Sequence, residues 1–449
     1  MNNLIELEQL IDEKQFKLLR TGIADVNPAD IAAIIDELPT EKAVVLFRVL
    51  PKDMAAEVFA NLFHEVQQAL IERLSAKEIF EVMDELFLDD TVDFIEEMPA
   101  IIAKKVLAHV TSETRELINQ LLKYPENSAG SIMTVEYVDL KRHLTVAQAF
   151  DRIRKIGLDK ETIYTCYVTD SERVLKGIVS VKTLLLSETD QIIGDIMDTS
   201  IIFTNTDTDR EEVAILFEKY DLINIPVMDS ESRLVGIITV DDIIDVVQEE
   251  ATEDFEKMAA MSPSDKPYLK TSAPRLARNR ITWLIVMMVA AMITGSILET
   301  FEAAIAAMPL LVAFIPMLMD TGGNSGGQSS TMIIRGLALT EVTTRDYLKV
   351  IWKEMRVGLL VGSLLAVINF IRVYITYRSN PDIFYVCIVV SATLLFTVVL
   401  ANVVGGLLPI IAKKCKIDPA VMAAPLITTV VDALSLVVYF SLANFILNI

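Results

Sequence analysis

Long apolar stretches in the C-terminal half constrain this chain more than any other feature. Residues 281–298 and 383–412 contain no charged residue, and an α-helix needs about 20 mostly apolar residues to cross the hydrocarbon core of a bilayer. Three further stretches carry at most two charged residues each: 303–334, 357–377 and 419–449. Helices of a water-soluble domain would need polar faces. The sequence therefore predicts an all-α transmembrane domain of five helices over residues 275–449.

Charge is distributed unequally between the two halves of the chain. Residues 1–274 hold 53 of the 62 acidic and 27 of the 40 basic residues, a formal charge of −26, whereas residues 275–449 carry +4. An acidic surface of this kind argues against nucleic acid as a partner and favours cations. The alternative is an acidic surface that only keeps the protein soluble. We expect a binding or transport protein and not an enzyme.

An internal repeat of twelve residues occupies positions 25–125. Apolar residues recur at this interval, at Leu38, Leu50, Leu62, Leu74, Leu86, Met98, Val110 and Leu122, and Pro39, Pro51 and Pro99 follow three of them. Twelve residues fit a helix of about two turns and a tight connection, with proline at the first helical position. The repeat predicts an all-α superhelical N-domain over residues 1–128, in which stacked helices bury the recurring side chains.

A second duplication follows, because Gly130-Ser-Ile-Met-Thr134 reappears as Gly194-Asp-Ile-Met-Asp198. Each copy predicts a helix, around 146–156 or 211–220, then two β-branched strands and another helix. This pattern resembles an α/β tandem pair of CBS domains, at residues 129–190 and 191–240. The resemblance implies a weak site for ATP or another adenosine nucleotide at Thr239 and Asp242, which match the ribose-binding position of that family.

The flanks of the apolar stretches predict the topology. Residues 241–274 begin as an acidic helical pattern that Pro263, Pro267 and Pro274 interrupt, so they form a connecting helix between the soluble and membrane parts. The polar N-terminus predicts no cleaved signal peptide. Basic residues cluster at 275–280, 345–356 and 413–416, and basic clusters stay on the cytosolic side. A multi-pass protein with cytosolic N-terminal domains and a periplasmic or extracellular C-terminus is expected.

Several polar residues stand inside the predicted spans. Asp432 lies near the middle of the last span, where an ionised carboxylate is costly unless it faces water or a counter-ion. A cation pathway is the interpretation we favour, and the alternatives are a protonated carboxyl group or a salt bridge to a residue such as Arg335. Glycines at 322, 323, 326 and 327 predict close helix approach or local unwinding. Further pore-lining candidates are Asn324, Gln328, Asn402 and Thr428, although Asn402 and Thr428 could equally make interhelical hydrogen bonds.

The order of these parts resembles the MgtE family of Mg²⁺ channels across nearly the whole chain. The motifs that carry the resemblance are Pro316…Gly322-Gly-Asn-Ser-Gly-Gly-Gln328, Asp418-Pro-Ala420…Pro425-Leu-Ile-Thr-Thr429…Asp432, and Thr239-Val-Asp-Asp242…Glu249-Glu-Ala-Thr-Glu-Asp254. The resemblance implies a homodimer in the bacterial inner membrane, with hydrated Mg²⁺ held by Asp432 of both subunits. It also implies regulatory Mg²⁺ ions between the N-domain, the CBS pair and the connecting, or plug, helix. The matching carboxylates are Glu57, Asp89, Asp93, Asp209, Glu211, Asp221, Asp242, Asp245, Glu250, Glu253 and Asp254.

The predicted function is Mg²⁺ uptake and homeostasis through a Mg²⁺-selective channel that cytosolic Mg²⁺ closes. Apposed acidic faces repel one another without a cation, whereas bridging Mg²⁺ draws them together and occludes the pore. The alternative hypothesis is a membrane-anchored nucleotide sensor that uses its CBS pair and transports nothing. An anchor needs neither an intramembrane aspartate nor a glycine-rich span, so we favour the channel.

Overall fold

A computed structural model describes residues 4–264, 268–269, 271–379, 381–422 and 424–447. The chain divides into two compact units, an N-terminal unit of residues 1–247 and a C-terminal unit of residues 248–449.

The N-terminal unit begins with ten short helices. They are α1 Leu4–Asp12, α2 Phe16–Ile23, α3 Pro28–Glu37, α4 Thr40–Val49, α5 Lys52–Ala60, α6 His64–Arg73, α7 Ala76–Met83, α8 Leu88–Glu97, α9 Ala100–Leu107 and α10 Ser112–Leu121. From α3 onward each helix begins twelve residues after the previous one, which confirms the repeat. The recurring apolar residues lie at the helix ends, where Leu62 and Leu74 are almost fully buried.

Helix starts in this repeat depend on local capping. Ser75 and Glu78 form a capping box at α7, in which the Glu78 carboxylate accepts a hydrogen bond from the Ser75 backbone N–H at 2.7 Å. Pro39, Pro51 and Pro99 stand at the position before the first helical residue. Each proline therefore stands one residue before the helical position predicted for it. It still costs no helical hydrogen bond, because the N–H that proline lacks would have no partner within the helix at this position.

Two three-stranded sheets of the same topology complete the N-terminal unit. The strands are β1 Val138–Lys141, β2 Thr165–Thr169 and β3 Leu175–Ser180, and then β4 Thr204–Asn205, β5 Asn224–Met228 and β6 Leu234–Thr239. In each sheet the first strand runs parallel to the second, which pairs antiparallel with the third. The helices are α11 Val146–Ile156, α12 Val181–Leu186, α13 Ile193–Ile196 and α14 Arg210–Tyr220, with a 3₁₀ turn at Gly157–Asp159. The matching topologies confirm the predicted CBS-like pair.

Helix α15, Val240–Met258, follows β6 directly and is the predicted connecting helix. Its first eight residues belong to the N-terminal unit, and the others belong to the C-terminal unit. The remaining helices are α16 Ala273–Thr300, α17 Glu302–Ala307, α18 Ile315–Ala338, α19 Tyr347–Thr376, α20 Ile383–Lys414 and α21 Ala424–Leu447, with 3₁₀ turns at Pro309–Phe314 and Pro419–Met422.

Four of these helices, α16, α19, α20 and α21, are long and apolar enough to cross a membrane. Helix α18 is the fifth long helix, and it is less hydrophobic because it carries glycines and amide side chains among its apolar residues. The predicted span 303–334 is not continuous, since α17 and the 3₁₀ turn precede α18. Proline at positions 309 and 316 accounts for the break, because its ring excludes the preceding helical carbonyl.

The glycines of α18 lie in a tight seam. All four are buried against α20 and α21. A methyl group on Gly405 of α20 would stand 2.2 Å from the carbonyl oxygen of Gly326, so the two backbones are nearly in contact. Close helix approach is thereby confirmed. The alternative expectation of local unwinding was wrong, because α18 is helical throughout residues 315–338.

Candidate functional site

The Asp432 carboxylate lies eight residues into α21 and is neither fully buried nor fully exposed. One of its oxygens, Oδ1, is buried and has no hydrogen-bond partner among the residues that the structure describes. Within the same described residues no salt bridge joins it to Arg335 or another cation. A buried acceptor without a donor is costly in an apolar setting. A cation or its bound water could satisfy it.

A polar face of α18 accompanies this carboxylate. Asn324 and Gln328 are four residues apart, so they lie on one face of the helix, and both are exposed. The buried glycines occupy the other side and pack against α20 and α21. The amide groups therefore face away from the packed interior of this chain.

The other two pore-lining candidates lie differently. Asn402 of α20 is buried, and its Oδ1 accepts a hydrogen bond from Ser325 Oγ at 2.5 Å. This placement favours the interhelical hydrogen bond over the pore. The Thr428 hydroxyl donates to the carbonyl oxygen of Ala424 at 2.8 Å and stays partly exposed. Its oxygen remains able to accept a hydrogen bond from water.

A second candidate site lies in the N-terminal unit. Carboxylate oxygens of Asp89, Glu136 and Glu161 all lie within 4.8 Å of one another. Asp89 lies in the first turn of α8, Glu136 precedes β1, and Glu161 follows the 3₁₀ turn after α11. Glu136 Oε2 accepts a hydrogen bond from the Leu88 backbone N–H at 3.1 Å, which joins the two segments. We call these three residues together with Asp90 and Asp242 the acidic cluster.

The acidic cluster is electrostatically uncompensated. Burial, and after it the charge of Asp242, raises the pKa of three members of the cluster. The pKa of Asp89 lies well above its usual range, that of Asp90 is raised to about 7, and that of Glu161 to about 8. Burial and the nearby Asp241 raise the pKa of Asp242 to about 6, although the Thr239 hydroxyl donates to its Oδ2 at 2.7 Å. Burial also raises the pKa of Glu136. Burial and the mutual repulsion of these close carboxylates therefore favour their neutral forms, and the charge of Lys160 opposes this only in part at Glu136.

A divalent cation fits this arrangement chemically. Mg²⁺ binds oxygen ligands at about 2.1 Å, so two ligand oxygens on opposite sides of one ion stand about 4 Å apart. Carboxylate oxygens that are slightly farther apart can hold the ion through its bound water. Glu136 and Glu161 were absent from the predicted ligands. They lie in loops outside the quoted motifs, and only the fold brings them to Asp89.

Comparison with known proteins identifies the family. Models described as divalent cation transporter MgtE, MgtE intracellular N domain and CBS domain match residues 315–442, 26–127 and 193–249. The magnesium transporter MgtE of Thermus thermophilus is 36% identical over 448 residues, which cover 99% of this chain and 98% of that protein. This chain belongs to the MgtE family of magnesium transporters. The magnesium transporter MgtE of Bacillus subtilis is 33% identical over 97% of this chain and 95% of its own length.

Solved structures agree with this MgtE assignment. A crystal structure of the cytosolic domain of the Mg²⁺ channel MgtE in complex with ATP is 36% identical, with a TM-score of 0.52 over 54% of this chain and 100% of that one. The soluble part of a magnesium transporter is 28% identical, with a TM-score of 0.52 over 55% of this chain and 98% of its own. The helical and CBS-like parts of this MgtE chain therefore have the architecture of soluble transporter domains.

The other carboxylates that the MgtE resemblance implies in the N-terminal unit are more exposed. Asp93 and Asp245 lie near each other, because the Asp93 charge contributes, after burial and Asp241, to the raised pKa of Asp245. Burial also raises the pKa of Asp93, against the charges of His64 and Arg210. The remaining four occupy helix ends or exposed helical positions: Glu57 in α5, Asp209 and Glu211 at the start of α14, and Asp221 at its end.

Within the C-terminal unit, the MgtE connecting helix α15 carries a compact charged group. Lys257 Nζ lies 2.6 Å from Glu253 Oε1 and 2.7 Å from Asp418 Oδ2, the residue just before α21 and its 3₁₀ turn. Asp254 lies beside them, and burial followed by the Asp418 charge raises its pKa. Glu250 stands one turn earlier. The ammonium group therefore connects the predicted plug helix to the segment that leads into α21.

Proposed function

We propose that this MgtE-family protein is a Mg²⁺-selective channel for magnesium uptake and homeostasis that closes when cytosolic Mg²⁺ binds its acidic regions. The observation that carries the proposal is the Asp432 carboxylate, which has a buried oxygen without a partner in the described residues of the membrane-type bundle. Mg²⁺ gives up its water reluctantly, so carboxylates that hold its hydration shell suit it better than a dehydrating cage.

The pore assignment rests on a pair of chains. Asn324 and Gln328 face away from the interior of one chain, which supports a homodimer whose central path runs between the two copies. Asp432 of both subunits would then hold one hydrated Mg²⁺. The membrane potential drives entry, at about 2.3 kcal/mol per charge per 100 mV. The proposal includes the bacterial inner membrane, cytosolic N-terminal domains and a periplasmic or extracellular C-terminus.

The sensing part of the proposal rests on the acidic cluster. Its carboxylates repel one another when they are ionised, and bound Mg²⁺ removes that repulsion and holds α8, β1 and α15 in fixed positions. Asp93 with Asp245, and Glu250, Glu253 and Asp254 on α15, would supply further Mg²⁺ ligands. Weak sites are appropriate, because a tight site would always be filled by an abundant ion.

An adenosine nucleotide at Thr239 and Asp242 is a further part of the proposal. The similar solved domain that was crystallised with ATP supports it. In this chain the two side chains hydrogen-bond each other at 2.7 Å, and Asp242 is itself a member of the acidic cluster. A nucleotide phosphate would be repelled there unless a cation were bound, so we propose that nucleotide binding depends on Mg²⁺.

Flux into liposomes tests the pore, with Asp432→Asn compared with the unchanged protein. We expect the variant to lose Mg²⁺ uptake while its elution volume and thermal stability in detergent stay the same. Undiminished flux would reject the pore assignment and favour the alternative, a membrane-anchored nucleotide sensor.

Gating is tested by patch recording of the triple variant Asp242→Asn, Asp245→Asn and Glu250→Gln. Closure at high internal Mg²⁺ should weaken, and unchanged closure would reject the sensor.

A further inference from the structure

A third polar side chain extends the exposed face of α18. Asp320, Asn324 and Gln328 recur at intervals of four residues, so they form one stripe along the helix. All three are exposed, whereas Gly322, Gly323, Gly326 and Gly327 on the other side are buried against α20 and α21. An ionised carboxylate that faced lipid five residues into a membrane helix would be costly. A place in a polar stripe that faced water would avoid this cost.

Helix packing brings Asp320 toward Asp432. Helices α18 and α21 run antiparallel, because Gly327 packs against Ala424, Gly326 against Ile427 and Gly322 against Val431 and Ser435. Asp320 precedes Gly322, so it stands at the level of Asp432 or beyond it toward the end of α21. The two carboxylates are close enough for the Asp320 charge to act on Asp432.

Neither carboxylate has a counter-ion within the parts of the chain that the structure describes. No hydrogen bond or salt bridge among these residues engages the Asp320 side chain, and Asp432 Oδ1 is buried without a partner. Two like charges near each other in a poorly polarisable environment raise the free energy of the ionised state. A divalent cation, bound directly or through its water, removes this cost.

We propose that Asp320 is a second carboxylate of the ion path, which concentrates the cation beside Asp432 and sets the preference for divalent over monovalent ions. The inference rests on the proposed channel function. Two neighbouring sites allow one ion to bind while the next leaves, which reconciles selectivity with rapid passage. In a pair of chains the path would contain four carboxylates, and a monovalent ion would compensate them less well than Mg²⁺.

The test compares Asp320→Asn, Asp320→Glu and Asp432→Asn with the unchanged full-length protein in liposomes. The matched control is Glu299→Gln, which removes a charge from the exposed end of α16. Uptake is measured over a range of external Mg²⁺ concentrations, with and without competing K⁺. We expect Asp320→Asn to raise the Mg²⁺ concentration for half-maximal flux about tenfold and to strengthen competition by K⁺. Asp320→Glu should restore both, and Glu299→Gln should change neither.

The possible results separate the two proposals. If Asp320→Asn matches the unchanged protein while Asp432→Asn abolishes flux, the role of Asp320 is rejected and the channel stands. If Asp432→Asn retains full flux, the channel proposal itself fails. Chromatography in detergent detects whether Asp320→Asn still folds. If it does not, the flux of Asp320→Ser is compared with that of Asp320→Glu instead. Equal flux curves for the serine and glutamate variants would then reject the inference, and a raised half-maximal concentration for serine alone would support it.

Discussion

At the scale of single residues, Glu161 is the group through which we expect the acidic cluster to exchange protons for a metal. Its Oε2 is buried and has no hydrogen-bond partner among the described residues, and burial with the charge of Asp242 raises its pKa to about 8. Near neutral pH the metal-free side chain is therefore mostly protonated. A divalent cation reverses this balance, because metal ligands must be deprotonated and their binding releases protons.

Replacing Glu161 by Gln should weaken Mg²⁺ binding and, at about pH 5, leave the metal-free protein almost unchanged. The glutamine resembles the protonated acid in size and charge, so the unfolding temperature in chelator should move little at that pH. At neutral pH it should rise, because only the unfolded state of the unchanged protein gains from ionising Glu161. The loss of one carboxylate ligand should reduce Mg²⁺ affinity about tenfold, or roughly 1.4 kcal/mol. Thermal unfolding of a soluble fragment of residues 1–258, titrated with Mg²⁺, measures both quantities.

Glu172→Gln is the matched control for this experiment, because Glu172 is an exposed carboxylate in the turn between β2 and β3, outside the acidic cluster. Its Mg²⁺ titration should follow that of the unchanged fragment. A Glu161→Gln fragment that bound Mg²⁺ as tightly as the control would show that Glu161 is not a ligand.

At the scale of elements, the glycine seam determines how closely the long helices approach. Gly326 of α18 and Gly405 of α20 leave no room for a side chain between their backbones. Close approach also places Ser325 and Ser329 within hydrogen-bond distance of Asn402. Between membrane helices, packing and such hydrogen bonds replace the hydrophobic effect as the source of association. The polar stripe of α18 is positioned by this seam.

Replacing Gly405 by Ala should destabilise the helical bundle. The added methyl group would meet the carbonyl oxygen of Gly326 at 2.2 Å, and backbone cannot move aside as a flexible side chain can. Overpacking of this kind costs about 1–3 kcal/mol. We expect a lower unfolding temperature in detergent and reduced Mg²⁺ flux. Gly295→Ala is the control, since a methyl group there meets nothing within 4 Å. Equal stability of the two variants would contradict the close contact between the α18 and α20 backbones.

The sequence predicted the elements better than it predicted the sites. The twelve-residue repeat and the paired CBS-like motifs are local patterns, and they anticipated the helix spacing and both sheets. The span 303–334 was predicted as one helix, because a search for apolar stretches does not register the break that Pro309 and Pro316 cause. Glu136 and Glu161 were missed because long-range packing alone brings them to Asp89. Asn402 was selected for its polarity, and its burial with a hydrogen bond to Ser325 favours the interhelical alternative that the sequence had left open.

At the scale of the whole molecule, the acidic charge is concentrated where the metal-binding candidates lie. Residues 1–274 carry a formal charge of −26, and residues 275–449 carry +4, which gives the chain its net charge of −22. Self-repulsion destabilises a compact acidic domain, and in the acidic cluster it adds to burial, which is the larger cause of the raised pKa values. A bound cation offsets both. Stability of the soluble part should therefore depend jointly on pH and Mg²⁺.

The direction of this pH dependence follows from the pKa shifts. Asp90, Asp242 and Glu161 have pKa values of about 7, 6 and 8 in the folded state, above the ordinary values of 3.8 to 4.5. Between these ranges the folded state holds more protons than the unfolded state. The free energy of unfolding therefore falls as pH rises, which is opposite to the usual behaviour of salt-bridged carboxylates.

We expect the metal-free fragment of residues 1–258 to unfold at a lower temperature at about pH 8 than at about pH 5. Saturating Mg²⁺ should raise the unfolding temperature more at the higher pH, because fewer protons must be displaced there. At a hundredfold excess over the dissociation constant the gain is about 2.7 kcal/mol, or roughly 5–10 °C. Circular dichroism melting with chelator or Mg²⁺ measures both effects.

In the Glu161→Gln fragment the pH dependence should be shallower, since one of the shifted groups is removed. Metal-free stability that instead increased steadily from pH 5 to pH 8 would mean that the acidic cluster is paired with cations in solution, and the sensor would have to lie elsewhere.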